Sequence, residues 1–428
     1  MNFLRKTREW SGNRVREVFY LGNLEILKVE KSGLRKRWYF FNYKILSYRS
    51  NPVNGSDVKK IISTVNKSCN NLNIWIDHNF GGGTEVYTCR RFEKLLLNSN
   101  EILRIQYLNS DDAYKITLFT KRVCDQYIVN NISSLYNILL ECEYRALTVN
   151  SLVGYKNSLD IIGLIAKIRT KKNIEVRFNV HDYQCICPSF NLINGSGRFC
   201  ELNFAKCRTC YGTLRLSDNI HDEIILRSGA RDLDSWRAVW RNFLVNTCDV
   251  LETFSRSSAD ILAKAYPDVI DKIKVTPHEI PCLRKVKIKK HSGINIGFLG
   301  QLSLPQKGAN IVRAMGDYLS GSNTNIKLFV IGELKNAPEC VAVTGRYALV
   351  DLADIVEELQ IDCVIIPSIC PETFSYTTSE AIQLGLPVFS FRYGAQAEKV
   401  QAYPKGTILK SELPEDIINT VEKVLTHS

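Results

Sequence analysis

Two carboxylates beside a predicted helix start form the chemically most informative segment of the chain. Glu372 and Glu380 are separated by seven residues in PETFSYTTSEAIQLGLPV (371–388). The apolar run VIIPS (364–368) predicts a buried strand before them, and the residues after Glu372 predict a helix that ends near Gly385. A helix N-terminus binds phosphate through its backbone N–H groups, and carboxylates accept hydrogen bonds from hydroxyl groups. The segment therefore predicts a phosphate-binding site beside two carboxylates.

An alternation of strands and helices on both sides of a break predicts the elements that position this segment. The break, 276–292, is rich in Pro and Lys and lacks helical periodicity, so it is the best candidate for a linker. Open α/β sheets bind ligands at the carboxyl ends of their strands, where both glutamates would lie. The predicted strands are 71–76, 102–107, 115–119, 146–149, 174–180, 294–300, 326–332, 362–368 and 386–391. The predicted helices are 157–171, 308–320, 350–360, one from about 377 and 413–426.

Length and composition bound the class of protein. The chain has 428 residues, 45% of them hydrophobic and 23% charged, which excludes disordered and fibrous proteins and favours two globular domains. No window holds the roughly 18 consecutive apolar residues of a membrane-spanning helix. The N-terminal residues lack the apolar stretch of a secretory signal peptide. We therefore expect a cytoplasmic protein.

The segment 371–388 resembles glycosyltransferase family 4, the retaining enzymes of the GT-B fold. The spacing of the two glutamates fits the family motif, as does the Gly-Leu-Pro turn. The sequence of the segment resembles the branch of the family that builds bacterial surface polysaccharides. The resemblance implies an α/β protein with two Rossmann-like doubly wound domains facing a central cleft. It implies that Glu372 contacts hydroxyls of the donor sugar and Glu380 the ribose of the nucleotide. The backbone of Thr373, Phe374, Ser375 and Tyr376 would contact the diphosphate. Another interpretation of Glu380 is a capping box with Thr377.

Three further segments resemble the same family. In IGFLGQLSLPQKGANIV (296–312), Lys307 fits the lysine of an Arg/Lys clamp on the diphosphate, whereas Gln301 stands where the arginine is expected. In FGGGTEVYT (80–88), the backbone of Gly82 and Gly83 would lie close to the donor phosphate or the acceptor. In VRFNVHDY (176–183), His181 matches an active-site histidine near the transferred sugar. Together these segments imply catalysis by His181, Glu372 and Lys307 without a catalytic metal.

Five of the 14 cysteines fall in one short segment, 185–210, which we call the cysteine loop. Cys207 and Cys210 have a zinc-knuckle spacing, and Cys187 and Cys200 could complete a tetrahedral thiolate site. Such a site would be structural, since four protein ligands leave no open position. Buried cysteines without metal are the alternative, and an iron–sulfur cluster has less support.

The positive charge is concentrated at one end of the chain. Residues 1–50 hold 12 Lys/Arg and 4 acidic residues, a net charge of +8 out of +12 for the whole chain. Aromatic and aliphatic residues interleave with the basic ones, which predicts an amphipathic surface helix. An anionic membrane surface is the expected partner, and a solvated extension without a ligand is the alternative. Contact with nucleic acid is not expected, since no recognised nucleic-acid motif is present.

These observations predict a glycosyltransferase that moves a sugar from a nucleotide-sugar donor to a bacterial polysaccharide or a lipid-linked glycan. Rhamnose and mannose donors are both compatible with the sequence. The enzyme would act in the cytoplasm, with peripheral contact at the inner face of the membrane. The alternatives are an inactive glycosyltransferase-like partner in a synthesis complex and a zinc-containing nucleic-acid-binding protein. The predicted domains are a basic extension (1–69), an acceptor-side domain (70–285), a nucleotide-sugar-binding domain (286–410) and a C-terminal helix (411–428).

Overall fold

The computed structural model describes residues 58–121, 123–212, 225, 228–322 and 324–426, together with the backbone of five strands between residues 4 and 50. Among these residues, no helix combines the length and the apolar composition needed to cross a bilayer.

The chain folds into two compact units. Unit 1 comprises Met1–Val180, Ile224–Glu252 and Asp271–Ile273, and unit 2 comprises His181–Glu223, Thr253–Ile270 and Lys274–Ser428. The predicted division at residues 285 and 286 falls inside unit 2, and the predicted domain limits stay a prediction. Residues 253–270 belong to unit 2, in which Glu398 accepts hydrogen bonds from the backbone N–H groups of Arg256 (3.2 Å) and Ser257 (2.7 Å).

The N-terminal part of unit 1 is a run of antiparallel strands. They are β1 (Leu4–Ser11), β2 (Arg14–Leu21), β3 (Leu24–Ser32), β4 (Arg35–Phe40) and β5 (Tyr43–Ser50), each paired with the next. The amphipathic helix predicted for residues 1–50 is therefore wrong. Alternation of apolar and charged residues in short runs such as LKVEK (27–31) is typical of strands, and it outweighs the helical interpretation.

The rest of unit 1 is an α/β domain on the same sheet. Its strands are β6 (Leu72–Asp77), β7 (Glu101–Leu108), β8 (Ala113–Phe119), β9 (Val123–Val129), β10 (Ala146–Val149), β11 (Glu175–Asn179), β12 (Val250–Thr253) and β13 (Ile273–Val275). The described strands lie in the order β1-β2-β3-β4-β5-β9-β8-β7-β6-β10-β11-β12-β13. The helices are α1 (Val58–Ser68), α2 (Gly83–Leu97), α3 (Ile132–Glu141) and α4 (Ser158–Lys171), followed, after α5 of unit 2, by α6 (Leu233–Asn246). Strands β6, β10, β11 and β12 are parallel neighbours, so their carboxyl ends share one edge.

Unit 2 contains a six-stranded sheet in which every described pairing is parallel. The strands are β14 (Ile294–Gln301), β15 (Ile326–Glu333), β16 (Val341–Val343), β17 (Cys363–Ile366), β18 (Val388–Phe391) and β19 (Gly406–Leu409), in the order β16-β15-β14-β17-β18-β19. Its helices are α5 (Cys207–Gly212), α7 (Arg256–Ala265), α8 (Ala309–Ser320), α9 (Leu352–Glu358), α10 (Tyr376–Leu384), α11 (Gly394–Gln401) and α12 (Pro414–Thr426). Both faces of the sheet are apolar: Phe298 is buried in one core cluster and Val364 in the other.

This strand order places a topological switch point between β14 and β17. The strands run outward in sequence order from β14 on one side and from β17 on the other, which is the Rossmann arrangement. Ligands bind such sheets outside the carboxyl ends of the two central strands. The segments that follow β14 and β17 contain Lys307 and Glu372, so the fold directs both residues to this point.

The predicted linker, 276–292, contains no helix or strand, as expected, but it is attached to unit 2 along its length. The backbone N–H of Val286 donates to Leu384 O (3.0 Å), and that of Leu283 donates to Gln383 Oε1 (2.7 Å). Arg284 pairs with Glu357 of α9 at 2.7 Å. The segment therefore packs against α9 and α10.

Candidate functional site

Glu372 and Lys307 form an ion pair at the switch point of unit 2. Glu372 Oε1 accepts hydrogen bonds from Lys307 Nζ (2.8 Å) and from Ser368 Oγ (2.5 Å). The Glu372 side chain is 12% exposed and that of Lys307 40%. A buried carboxylate with one partly exposed lysine can still accept hydrogen bonds from a ligand, and the lysine can reach an anion.

The electrostatics keep both members of this pair charged. Burial by itself raises the pKa of Glu372, but the Lys307 charge and the hydrogen bonds from Lys307, Ser368 and Ser375 outweigh it, so the net pKa is lowered. For Lys307, burial lowers the pKa, and the charge of Glu372 outweighs burial, so the net pKa is raised. A phosphate near Lys307 would therefore meet a protonated ammonium group.

The loop that carries Glu372 is held by the start of α11. The Gln396 side chain is fully buried; its Oε1 accepts from Glu372 N (3.1 Å) and its Nε2 donates to Cys370 O (2.7 Å). Glu372 O accepts from the backbone N–H of Ala395 (2.9 Å). Gly394 has φ of 61°, and a Cβ there would lie 2.5 Å from Glu372 N. The backbone of Glu372 is thus fixed by direct contact with α11, a helix that was not predicted from the sequence.

Lys307 is positioned by a close approach of two backbone segments. It ends the 3₁₀ turn Pro305–Lys307, and Gly308 follows with φ of 86°. A Cβ on Gly308 would lie 2.2 Å from Pro367 O, in the segment that follows β17. Only glycine fits this approach, which brings the loops after β14 and β17 together.

Helix α10 begins with a strained residue. Its N-cap, Ser375, has φ of 60° and ψ of 90°, a region that favours glycine. The Ser375 hydroxyl shares a hydrogen bond of 2.7 Å with Thr378 Oγ1, and its side chain does not cap the helix. Thr377 lies inside the first turn, so the capping-box interpretation of Thr377 and Glu380 is wrong. The N-terminus of α10 is therefore not capped by the side chain of its N-cap residue.

Glu380 lies inside α10 and is 8% exposed. Its Oε2 accepts a weak hydrogen bond from Tyr347 Oη at 3.4 Å. Burial, and then the charge of Glu380, raise the pKa of Tyr347. A carboxylate beside a phenol can accept hydrogen bonds from ligand hydroxyls, and the predicted contact of Glu380 with the ribose stays a prediction.

An aromatic cluster lies next to the Glu372 loop. The His181 ring stacks on Phe254 with centroids 4.3 Å apart, and His181 O accepts from Thr373 Oγ1 (3.1 Å). His278 lies 4.2 Å from Phe254 and 4.4 Å from Phe374 between ring centroids. His181 thus lies near the predicted segment, whereas His278 was not predicted, since its surroundings TPHEIP (276–281) indicate only a loop.

Lys399 of α11 is a second residue that the sequence reasoning missed. Its Nζ donates to Ser375 O (3.0 Å) and Ser379 Oγ (2.6 Å) and lies 3.3 Å from the centroid of the Phe374 ring. Burial lowers its pKa to about 7, against the opposing charge of Glu372. Lys399 lies in a short helix without apolar spacing, so the sequence did not indicate that its side chain is near Ser375 and Phe374.

The remaining predicted residues lie at the carboxyl end of β14 and in unit 1. Gln301 is exposed at the end of β14, where it pairs in register with Glu333. Gly82 and Gly83 belong to unit 1 at the start of α2, with Gly82 as N-cap at φ of 77°. A Cβ on Gly82 would meet nothing within 4 Å, so its conformation rather than crowding requires glycine.

A buried polar network anchors this glycine loop in unit 1. Arg104 Nη2 pairs with Asp77 Oδ2 (2.6 Å) and with Glu85 Oε2 (2.5 Å). Asp77 is fully buried at the end of β6 and also accepts from Asn150 Nδ2 (3.0 Å) and Thr88 Oγ1 (3.2 Å). Arg104 thus links Asp77 of β6 to Glu85 of α2 and holds the turn between these two elements in place.

The cysteine loop lies in unit 2 without a metal-site arrangement. Within the described part of the chain, no group of three or more His, Cys, Asp or Glu side chains could hold a metal ion. All fourteen cysteines are described, and none forms a disulfide. Burial raises the pKa of the Cys200 thiol, against an opposing hydrogen bond from the backbone at Leu202. The residues Cys187, Cys200, Cys207 and Cys210 thus do not fit a metal, and structural zinc stays a prediction without support from this geometry.

The segment that carries Lys307, Glu372 and Glu380 matches a known family. Residues 281–428 match the family model of glycosyl transferases group 1. The match begins in the predicted linker, 276–292, and continues through the six-stranded sheet. It therefore includes both members of the ion pair and the start of α10.

The fold of the chain is GT-B, with two Rossmann-like parts. It is similar to that of HepE from Anabaena, solved with UDP and glucose, with a TM-score of 0.51, 13% identity, and coverage of 83% of this chain and 89% of that one. It is also similar to WaaG, a glycosyltransferase involved in lipopolysaccharide biosynthesis, with a TM-score of 0.50, 14% identity, and coverage of 83% and 90%. At 13% and 14% identity, the similarity to these two structures supports the fold alone. Among curated proteins, no sequence matches this chain.

Proposed function

We propose that this protein is a retaining glycosyltransferase of family 4 that transfers a sugar from a nucleotide-sugar donor. The observation that carries the proposal is the Glu372–Lys307 pair at the Rossmann switch point, beside the N-terminus of α10. The match of residues 281–428 to glycosyl transferases group 1 supports it, as does the presence of UDP and glucose with HepE.

In this proposal the donor binds with its diphosphate toward Lys307 and the first N–H groups of α10. Glu372 accepts hydrogen bonds from hydroxyls of the sugar, and Glu380 accepts them from the ribose. His181, next to Thr373, lies near the transferred sugar. The backbone from Thr373 to Tyr376 contacts the phosphates.

The reaction exchanges one bond for another at the anomeric carbon. The bond from that carbon to the diphosphate oxygen breaks, and a bond to the acceptor oxygen forms on the same face of the sugar. The acceptor's proton passes to the departing phosphate, which leaves as nucleoside diphosphate. Lys307 and the dipole of α10 stabilise the negative charge that develops on the leaving group.

We further propose a bacterial surface polysaccharide or a lipid-linked glycan as the acceptor. The support is the resemblance of segment 371–388 to that branch of the family. The charge of +8 in residues 1–50 fits a peripheral contact with the anionic inner face of a membrane. Loss of liposome binding on removal of residues 1–50 would support that contact, and unchanged binding would refute it.

An inactive partner in a synthesis complex is the second candidate. The exposed Gln301 favours it, because the family resemblance implies an arginine at this place. An inactive partner would bind the donor without turnover, so measurements of binding and of turnover separate the two candidates.

A thermal-shift screen tests donor binding. The wild type, Glu380→Ala and Glu339→Ala are heated with UDP, GDP, dTDP and CDP and their sugars. A bound ligand stabilises only the state that it binds, so one base should raise the melting temperature of the wild type and of Glu339→Ala, an exposed control on the same unit. Glu380→Ala should lose this shift. An absence of shift with every nucleotide, or an equal shift in Glu380→Ala, would refute the assigned site.

A further inference from the structure

We propose that Lys399 is a positioning residue of the donor site, whose ammonium group holds the Phe374–Ser375 turn in the conformation that presents the N-terminus of α10 to the donor diphosphate. This inference rests on the proposed function. It assigns a role to a residue that neither the family resemblance nor the sequence pattern indicates.

The first support is the number of contacts that one ammonium group makes with this turn. Lys399 Nζ donates to Ser375 O at 3.0 Å and to Ser379 Oγ at 2.6 Å. It also lies 3.3 Å from the centroid of the Phe374 ring, within the range of a cation–π interaction. All three partners belong to the turn or to the first residues of α10. The lysine therefore ties α11 to the part of the site that would hold phosphate.

The second support is the conformation of Ser375. A serine at φ of 60° is strained and persists only where its surroundings fix it. The Ser375 hydroxyl shares a hydrogen bond with Thr378 Oγ1, and the Ser375 carbonyl accepts a hydrogen bond from Lys399 Nζ. Because the Ser375 peptide sets the direction of the next N–H groups, the bond from Lys399 bears directly on the anion site.

The third support is the charge balance around the ammonium group. Burial lowers the pKa of the ammonium group to about 7, while the carboxylates of Glu372 in the loop, Glu398 in α11 and Glu380 in α10 favour the charged form. His278 faces the same Phe374 ring from the 276–281 segment. Since the ordinary value is 10.5, the protonation of Lys399 changes in the neutral range.

This gives two pH dependences of opposite sign. The unfolded chain keeps a proton on Lys399 up to its ordinary pKa, whereas the folded chain loses it near 7, so this residue's contribution to stability rises with pH between the two values. A donor diphosphate favours the protonated form, so donor affinity should fall as the pH rises through 7. A residue with a merely structural role would produce only the first dependence.

The test is calorimetric binding of UDP, GDP, dTDP and CDP from about pH 6 to about pH 9, with four proteins. Lys399→Met keeps the length and removes the charge, and Lys399→Arg keeps the charge at every pH in this range. Lys405→Met is the matched control, because Lys405 Nζ donates to Gly385 O at the opposite end of α10. The nucleotide's own phosphate also titrates, so variants are compared at each pH.

We expect the wild type and Lys405→Met to lose affinity by about tenfold more than Lys399→Arg between the ends of this range, which corresponds to one unit of pKa shift on binding. Lys399→Met should bind about tenfold more weakly than the wild type at the acidic end and equally at the basic end. Equal affinities of Lys399→Met and the wild type at every pH would overturn this inference and leave the donor site intact. Absence of binding to the wild type at every pH would overturn the proposed function, and this inference with it.

Discussion

Replacing Gly394 with alanine should displace Glu372 without touching its side chain. A Cβ at residue 394 would lie 2.5 Å from both Glu372 N and Pro371 Cα, whereas ordinary contacts begin at 3.4 Å. The loop would have to move by roughly 0.9 Å, because both clashing atoms belong to the backbone and α11 is packed behind residue 394.

The magnitude has two parts, and a matched control separates them. Alanine at φ of 61° costs about 1–2 kcal/mol in strain, and overpacking adds about 1–3 kcal/mol. Gly197 also has positive φ, 76°, but a Cβ there meets nothing within 4 Å, so Gly197→Ala carries only the strain. Gly394→Ala should therefore melt about 2–12 °C below Gly197→Ala.

The functional consequence should be larger than the loss of stability suggests. A displacement of about 1 Å in a positioning element can reduce a rate on the order of 10²-fold. We expect release of nucleoside diphosphate from the donor to fall by about this factor in Gly394→Ala and to stay near the wild-type rate in Gly197→Ala. Melting temperatures and rates that do not differ between the two variants would refute the reasoning about this close approach.

Two other perturbations test unit 1 and the cysteine loop. Arg104→Met leaves the buried Asp77 carboxylate without its partner and should lower the free energy of unfolding by about 3–5 kcal/mol. Arg177→Met, which removes a half-exposed pair with Glu175, should change the free energy of unfolding by less than about 1 kcal/mol. Thermal denaturation measures both variants, and equal losses of stability would contradict the role of burial. For the cysteine loop, EDTA should leave the melting temperature unchanged, because no metal-site arrangement is formed in the described residues; a lower melting temperature together with about one zinc per chain by mass spectrometry would restore the zinc prediction.

The sequence predicted the elements around Glu372 closely, because their signals are local. An apolar strand, a Pro-containing loop and a Gly385 at φ of 82° that ends α10 all leave marks in the residue pattern. The predicted helix from about 377 begins at Tyr376 in the structure, and the strands near 294–300 and 326–332 are confirmed. The pairing of Glu372 with Lys307 follows once β14 and β17 are neighbours.

Helix α11 escaped prediction because its buried face is built mainly from small and polar residues, with Val400 as its large apolar residue. Ala395, Gln396 and Ala397 are buried there, and none of them produces an apolar spacing of the helical kind. Gln396 and Lys399, which hold the Glu372 loop and the Ser375 turn, lie on this helix. Their roles depend on contacts with residues more than 20 positions away in the sequence, which the periodicity of a single helix cannot indicate.

The five N-terminal strands were missed for a different reason. Basic residues interleaved with aromatic ones fit both a surface helix and an alternating strand, and the charge excess favoured the helix in our interpretation. Gly-Asn pairs at 12–13 and 22–23 were the available signal, since such dipeptides favour hairpins. Giving turn residues more weight than charge would have predicted the strands.

The central claim is that Glu372 and Lys307 belong to the donor site of a glycosyltransferase. Release of nucleoside diphosphate from a panel of UDP, GDP, dTDP and CMP sugars, followed with the wild type and with Glu372→Gln, tests it most directly. The wild type should release the diphosphate, or CMP from a CMP sugar, from one class of donor. Glu372→Gln, which keeps the shape but removes the charge, should be slower by a factor on the order of 10². Equal rates in the two proteins, or no release from any donor by the wild type, would contradict the claim.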